Sequence, residues 1–179
     1  LSTTDFAELA TTQIAALTAS QIGGLSVTNL TSLSATQFAA LDPARIRGLT
    51  ASQLGGLEAA DFARFTPTQI VSLTAAQIGA LSATNIGALN APVVQQLNNT
   101  QLQGLTAFQV RALTATDVRE FTATQIQGFT PGQFGSLSAS ALPALFDTQF
   151  EGLSALQLGG LSASGVAAAS TRPSGPSAR

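Results

Sequence analysis

The sequence contains no cysteine, histidine, methionine, tryptophan, tyrosine or lysine, so its chemical repertoire is narrow. Without cysteine and histidine there is no disulfide framework, no thiolate or imidazole metal site and no histidine-dependent catalytic triad. Charged residues make up 9% of the chain, compared with about 25% in an ordinary soluble domain. The seven basic residues are all arginine and the net charge is −2, so nucleic-acid binding is not expected. No apolar run approaches the roughly 18 residues that a membrane span requires.

An eight-residue repeat runs through almost the whole chain. Leucine, or phenylalanine at three places, recurs every eight residues from Leu1 to Leu161, and a second apolar residue recurs from Phe6 to Val166. The consensus is Leu-[Ser/Thr]-Ala-[Ser/Thr]-Gln-Ile-x-[Gly/Ala]; we call each unit an octad and its residues positions 1 to 8. We predict a repeat solenoid of about 21 octads over residues 1–169 and a disordered Pro/Ser/Gly tail over residues 170–179.

A period of eight residues suits neither a single long helix nor a flat strand. Eight residues advance an α-helix by about 800°, so a leucine stripe would rotate by about 80° in each octad and no apolar face would persist. In a strand, positions 1 and 6 would point to opposite faces. A β-solenoid with corners between these positions remains an alternative, although Gln and Ala are poor strand formers.

The polar residues of the octad follow the pattern of helix N-termini. Position 2 is Ser, Thr, Asp or Asn in 18 of 21 octads, and these side chains cap helices. Position 5 is Gln, Asp or Asn in 17 of 21, which is the spacing of a reciprocal capping box. Pro43, Pro67 and Pro131 directly follow the cap, where a helix tolerates proline best. The predicted boxes include Thr18 with Gln21, Thr50 with Gln53, Thr66 with Gln69 and Thr122 with Gln125.

Each octad is therefore predicted to form one short capped helix. Positions 1 and 6 occupy the two places of a hydrophobic staple and are expected to touch. Because such short helices are unstable alone, they must pack on neighbouring octads, as in a solenoid. The predicted fold is an all-α repeat solenoid of very short capped helices, with a β-solenoid as the alternative. The sequence does not set the number of octads per superhelical turn, and both two and three are compatible with it. The predicted structural core includes Leu17, Ile22, Leu25, Leu49, Leu54, Leu73, Ile78, Leu81 and Ile86.

The predicted surface offers little reactive chemistry. With positions 1 and 6 buried, the exposed face is expected to consist of Ser, Thr, Gln and Ala, with scattered charges serving solubility and local ion pairing. Most glycines fall at positions 7 and 8, where they are expected to let the chain leave the helix and let turns pack closely. Phe108 and Phe146 lie outside the apolar positions and are expected to be exposed. We predict no catalytic, cofactor-binding or metal site, and therefore no enzyme.

The segment LTASQIGGLSVTNLTSLSATQFAAL, residues 17–41, resembles octapeptide LTxxQ[IV]xAL arrays of large bacterial secreted or cell-surface proteins, often of an adhesin-like kind. The likeness extends over residues 1–168. The resemblance implies an extracellular location and a structural or adhesive role.

We expect a structural repeat protein that forms or spaces an extracellular fibre, sheath or adhesin stalk by head-to-tail or lateral self-assembly. Octad 1 follows the ordinary consensus and is not a polar terminal repeat of the kind that covers the open hydrophobic end of a solenoid. This indicates either a fragment of a longer array or a subunit that stacks head to tail. The expected partner is the chain itself or more of the same repeat, with surface or glycan contact as a further expectation. The alternative is a binding module whose regular Thr/Ser face matches ice or a polysaccharide.

Overall fold

The computed structural model describes residues 2–171, and within that range every regular element is helical. Twenty α-helices and one 3-10 helix occupy this range, and no strand occurs in it. The all-α prediction is confirmed and the β-solenoid alternative is excluded. Residues 172–179, most of the predicted tail, lie outside the described residues, and Ser170 is the last residue of the final helix.

The chain divides into two compact units, Leu1–Ala88 and Leu89–Arg179. The helices of the first unit are α1 (Thr3–Ala7), α2 (Thr11–Ala15), α3 (Ala19–Gly23), α4 (Val27–Thr31), α5 (Ala35–Ala39), α6 (Pro43–Ile46), α7 (Ala51–Gly55), α8 (Ala59–Phe62), α9 (Pro67–Val71), α10 (Ala75–Ala80) and α11 (Ala83–Gly87). Those of the second unit are α12 (Ala91–Val94), α13 (Asn99–Gln103), α14 (Ala107–Ala112), α15 (Ala115–Glu120), α16 (Ala123–Gln127), α17 (Pro131–Gly135), a 3-10 helix (Leu142–Ala144), α18 (Asp147–Glu151), α19 (Ala155–Gly159) and α20 (Ala163–Ser170).

Octad 7 shows how the sequence sets the bounds of each helix. Thr50 at position 2 has an extended backbone (φ −81°, ψ 160°), and the helix begins at the next residue, Ala51. The helix ends at Gly55, and Gly56 keeps right-handed helical angles (φ −85°, ψ −4°). The N–H of Leu57 then donates to the Leu54 carbonyl over 3.4 Å, which tightens the final turn before the chain extends into the next octad.

Within each unit, a helix packs on the helix three octads further along the chain. In the first unit α3 packs on α6 and α7 on α10, and in the second unit α14 packs on α17. The hydrogen bonds that Gln53 makes to the preceding turn join residues that are 28 and 31 apart. A superhelical turn therefore contains between three and four octads, which excludes two, one of the two values that the sequence left open.

The core of each unit consists of the residues at positions 1 and 6. In the first unit every position-6 residue is buried, from Phe6 to Ile86, and position 1 is buried from Leu33 onward. Some phenylalanines at these positions also pair with other rings, as where the centroids of Phe38 and Phe65 lie 4.5 Å apart. This burial supplies the tertiary contacts that helices of four to six residues need in order to persist.

Octad 18, residues 137–144, departs from the consensus at positions 5 and 7. Ala141 replaces the glutamine of position 5, and Pro143 stands at position 7, where an N–H is needed for the helix. Ser138 still accepts the Ala141 N–H over 3.1 Å. Only a 3-10 helix forms, yet Leu142 remains fully buried at position 6.

Small residues at positions 7 and 8 permit direct contact between the backbones of successive turns. A β-carbon on Gly135 would overlap the carbonyl oxygen of Gly160, and one on Gly48 would overlap that of Ala19. No glycine within residues 2–171 has a positive φ. The predicted close packing of turns is confirmed at these positions, which use the small size of glycine and not its left-handed conformations.

We expect Ile78→Asp to lower the free energy of unfolding by roughly 3–5 kcal/mol, since it places an unpaired charge at a site with 0% exposure. Thr74→Ala should cost about 1 kcal/mol through its lost cap. Thermal and urea denaturation followed by circular dichroism measures both values.

Phe108→Asp is the matched control for the buried charge, because the Phe108 side chain is 73% exposed. We expect its melting temperature to stay close to that of the wild type. Equal losses for Ile78→Asp and Phe108→Asp would contradict the proposed core.

Candidate functional site

The polar residues at positions 2 and 5 form hydrogen-bonded capping boxes. In octad 7 the Thr50 N–H donates to Gln53 Oε1 over 2.7 Å, and the Gln53 N–H donates to Thr50 Oγ1 over 3.2 Å. Each box satisfies two of the backbone N–H groups that a helix N-terminus leaves unpaired. The same reciprocal bonds join Thr18 to Gln21, Thr66 to Gln69 and Thr122 to Gln125.

Position 5 contributes to the box even where position 2 has no side-chain oxygen. Ala10 and Phe146 stand at position 2 without a side-chain oxygen, yet the N–H of each still donates to a glutamine Oε1. These bonds are 2.8 Å from Ala10 to Gln13 and 2.7 Å from Phe146 to Gln149. Half of the box therefore survives when the hydroxyl is missing.

Most glutamines at position 5 are buried, so the prediction of an exposed glutamine face is wrong. We call the buried set the glutamine ladder. An amide in an apolar core is costly unless its donors and its acceptor are paired. The ladder consists of Gln37, Gln53, Gln69, Gln77, Gln101, Gln109, Gln125, Gln133, Gln149 and Gln157.

The amide nitrogen of a ladder glutamine binds the preceding superhelical turn. Gln53 Nε2 donates to the carbonyl oxygens of Ile22 and Leu25, both over 2.8 Å, and these residues lie 31 and 28 positions earlier. One amide thus caps its own helix through Oε1 and joins that helix to the previous turn through Nε2. Equivalent bonds between turns are made by Gln37, Gln69, Gln77, Gln125, Gln133, Gln149 and Gln157.

The acceptors are main-chain carbonyls at the end of a helix and just beyond it. Ile22 O accepts the Leu25 N–H over 3.2 Å and keeps a second lone pair for Gln53. Leu25 lies between two helices, so its carbonyl has no donor within either. Each such bond contributes about 1 kcal/mol net, but a buried donor left without it costs about 1–3 kcal/mol.

In octad 6 an arginine occupies position 5, and an arginine and an aspartate together replace the glutamine amide. The aspartate provides the acceptor for the cap, and the arginine provides the donor to the previous turn. Asp42 caps the helix by accepting the Arg45 N–H over 2.9 Å. Arg45 Nε donates to the Leu17 carbonyl over 2.8 Å, which is the bond to the previous turn. The two side chains also form an ion pair.

Octad 8 also bonds to the previous turn through an arginine, but here the acidic residue occupies position 5 and the arginine lies at position 8. Asp61 occupies position 5 and accepts the Glu58 N–H over 3.3 Å, but a carboxylate has no donor for the previous turn. Arg64 pairs with Asp61 and supplies that donor, since its Nη1 reaches the carbonyls of Thr31, over 2.9 Å, and Leu33. The sequence prediction assigned these charges to solubility and local pairing, and did not anticipate their bonds between turns.

Asn85 shows what happens when the side chain at position 5 is one methylene too short. Its Nδ2 donates to the Leu57 carbonyl over 3.1 Å, and its N–H donates to Ser82 Oγ over 3.1 Å. Its Oδ1 is buried and has no hydrogen-bond partner. Asparagine therefore keeps the bond to the previous turn but leaves its own acceptor unpaired.

The predicted core residues differ in burial according to their place in the first unit. Leu17 and Leu25 belong to its first turn and are half-buried. The other predicted core residues are buried, namely Ile22, Leu49, Leu54, Leu73, Ile78, Leu81 and Ile86.

Two carboxyl groups have pKa values shifted from their usual range. The backbone N–H and the hydroxyl of Ser2 hydrogen-bond to Asp5 and lower the pKa of its carboxyl. Partial burial raises the pKa of Glu120, and the nearby Asp117 charge adds to this shift. Within residues 2–171 no three acidic side chains come together as a metal site would require.

Two aromatic side chains lie on the surface of the second unit, as predicted. Phe108 is 73% exposed and Phe146 is 51% exposed. The guanidinium carbon of Arg119 lies 5.5 Å from the centre of the Phe146 ring, and Arg119 Nε donates to the Ala144 carbonyl over 2.8 Å. The arginine thus joins a cation–π contact to a hydrogen bond between turns.

Comparison with known proteins shows that part of the chain is similar to a repeat family. A family model described as the ALTTAQ repeat matches residues 55–91. No curated protein and no solved structure matches the chain. The match supports the assignment of a repeat protein.

None of the helices between residues 2 and 171 is both long and apolar enough to cross a membrane.

We expect Gln133→Glu to lower the free energy of unfolding by roughly 3 kcal/mol or more at neutral pH. The carboxylate keeps the acceptor for the Thr130 N–H but faces the Leu102 and Leu105 carbonyls without a donor. Burial raises the pKa of the new carboxyl, so the loss should shrink as the pH falls and the protonated group regains one O–H donor. Urea denaturation at two pH values measures both effects.

Gln13→Glu is the control, because Gln13 occupies the same octad position but is exposed and bonds only to its own cap. Its cost should be within a few tenths of a kcal/mol. Equal losses at positions 13 and 133 would show that the bonds between turns contribute nothing.

Asn85→Gln should raise the free energy of unfolding by about 1 kcal/mol, since the longer side chain brings its oxygen within reach of the Ser82 N–H. The reverse change, Gln53→Asn, should destabilise the chain by a similar or larger amount. A neutral result for Asn85→Gln alongside a destabilising Gln53→Asn would contradict this account of the orphaned oxygen.

Proposed function

We propose that this chain is a structural repeat protein that forms or spaces an extracellular fibre, sheath or adhesin stalk, and that it is not an enzyme. The glutamine ladder is the observation that supports the proposal most directly. The amide of Gln53 accepts from the backbone N–H and the hydroxyl of Thr50 in its own cap and donates to two main-chain carbonyls of the preceding turn. These buried polar groups are thereby committed to holding one turn on the next, with none left for a ligand.

The repetition itself supports a spacing role. The octads with a ladder glutamine such as Gln69 or Gln133 bond to main-chain atoms of the preceding turn in the same way, so one kind of contact stabilises successive turns within a unit. The length of such an array depends on the number of octads and not on any one of them. This suits a protein whose purpose is to set a distance or to supply a uniform surface.

The extracellular location rests on the resemblance of residues 17–41 to octapeptide arrays of bacterial secreted and surface proteins. The match of residues 55–91 to a repeat family supports the repeat architecture that such arrays share.

Immunogold electron microscopy of the source cells tests the proposal. Antibodies raised against the purified chain should place gold on the cell surface, along fibres, a sheath or stalks. An antibody against a cytosolic enzyme of the same cells, applied to parallel sections, is the control. Gold from both antibodies over the cytoplasm would contradict the proposal.

A further inference from the structure

Octad 11 contains one acceptor and two donors that have no hydrogen-bond partner among residues 2–171. The Asn85 side chain is 0% exposed, and its Oδ1 is unpaired. Ser82, at position 2 of the same octad, accepts the Asn85 N–H through its Oγ, but its own N–H and O–H donate to no group in that range. Because buried polar groups are nearly always hydrogen-bonded to protein or to water, these three groups indicate a small ligand that both accepts and donates.

The boxes that contain glutamine show which atom octad 11 lacks. In octad 7 the Oε1 atom of Gln53 accepts both the Thr50 N–H, over 2.7 Å, and the Thr50 hydroxyl, over 3.1 Å. In octad 14 the Oε1 atom of Gln109 accepts the same two groups of Thr106 over the same two distances. A single oxygen atom therefore serves both donors of the cap residue in these octads, and Ser82 presents the same two donors without it.

The bond between turns orients the Asn85 amide so that its oxygen faces the cap. Asn85 Nδ2 donates to the Leu57 carbonyl, 28 residues earlier, just as Gln53 Nε2 donates to Leu25. Since the nitrogen and the oxygen belong to one planar group, Oδ1 points back towards Ser82, as Oε1 points towards Thr50 in octad 7. The asparagine side chain is shorter by one methylene group, so Oδ1 stops short of the two Ser82 donors.

We propose that octad 11 binds a buried water molecule whose oxygen takes the place of the glutamine Oε1 atom. The water accepts the Ser82 N–H and O–H and donates one hydrogen to Asn85 Oδ1. Three hydrogen bonds are the usual number for a buried water, which pairs with polar groups that the protein itself leaves unsatisfied. The site lies within the first unit and does not depend on the proposed structural function.

The groups that surround the site select a neutral ligand. A cation would lie against the Ser82 N–H, and an anion would lie against Asn85 Oδ1, whereas water accepts from the first and donates to the second. The water also explains why Asn85→Gln should stabilise the chain. A direct bond then replaces a bridged one, and the released water regains the entropy that it lost on binding.

NMR cross-relaxation between water and backbone amides of the full chain tests the site. The Ser82 N–H should give a cross-peak to the water resonance with the sign that a long-lived bound water produces. Thr50 is the matched control in the same spectrum, because it is also a hydroxyl residue at position 2, but Gln53 Oε1 pairs with both of its donors. The Thr50 N–H should give no such cross-peak.

Two substitutions should move the site from one octad to another. Asn85→Gln supplies the missing oxygen and should abolish the cross-peak at Ser82, and Gln53→Asn should create one at Thr50. No cross-peak at Ser82 in the wild type, equal cross-peaks at Ser82 and Thr50, or a Ser82 cross-peak that persists in Asn85→Gln would each overturn the proposal. The wild type and Asn85→Gln decide the question without Gln53→Asn, should that variant not fold, because Asn85→Gln completes a capping box.

Discussion

The structure depends on one side chain that performs two tasks. The primary amide of glutamine offers an acceptor and two donors on a single planar group. At Gln53 the oxygen completes the cap of its own helix, and the nitrogen holds that helix to carbonyls of the turn before it. The helix cap and the packing of one turn on the next therefore depend on the same side chain. A helix of five residues has little stability alone, and the amide makes its formation conditional on the presence of its neighbour.

Much of the fold follows from the sequence alone, because periodicity and cap chemistry are local. Spacing by eight excluded a continuous helix, and the Thr50–Gln53 type of box located the helix starts. The number of octads per turn did not follow, since it depends on how closely backbones approach at residues such as Gly135 and Gly160. Burial of the glutamines was also missed. A capping box accepts Glu as readily as Gln, yet no octad has Glu at position 5, and this absence was the available sign that the N–H₂ donors are used.

The exceptions at position 5 show which part of the interaction is required. Arg45 with Asp42 and Arg64 with Asp61 divide acceptor and donor between two charged residues, and both pairs still reach carbonyls of the previous turn. Asn85 makes the same contact with the previous turn, but its own Oδ1 is left without a hydrogen-bond partner. In each of these three octads the bond between turns is retained, although the means of capping the helix varies. Side chains far apart in chemistry are thus equivalent when they present an N–H at the same place.

Bonds from position 5 end on main-chain oxygens and not on chosen side chains, and a peptide carbonyl is the same group in every residue. An octad can therefore pack on almost any other octad. A gene built from such units can gain or lose whole octads by recombination between its near-identical segments, and each new neighbour meets the surface it needs. An array of this kind can therefore differ in length by whole octads without requiring a new kind of contact between turns.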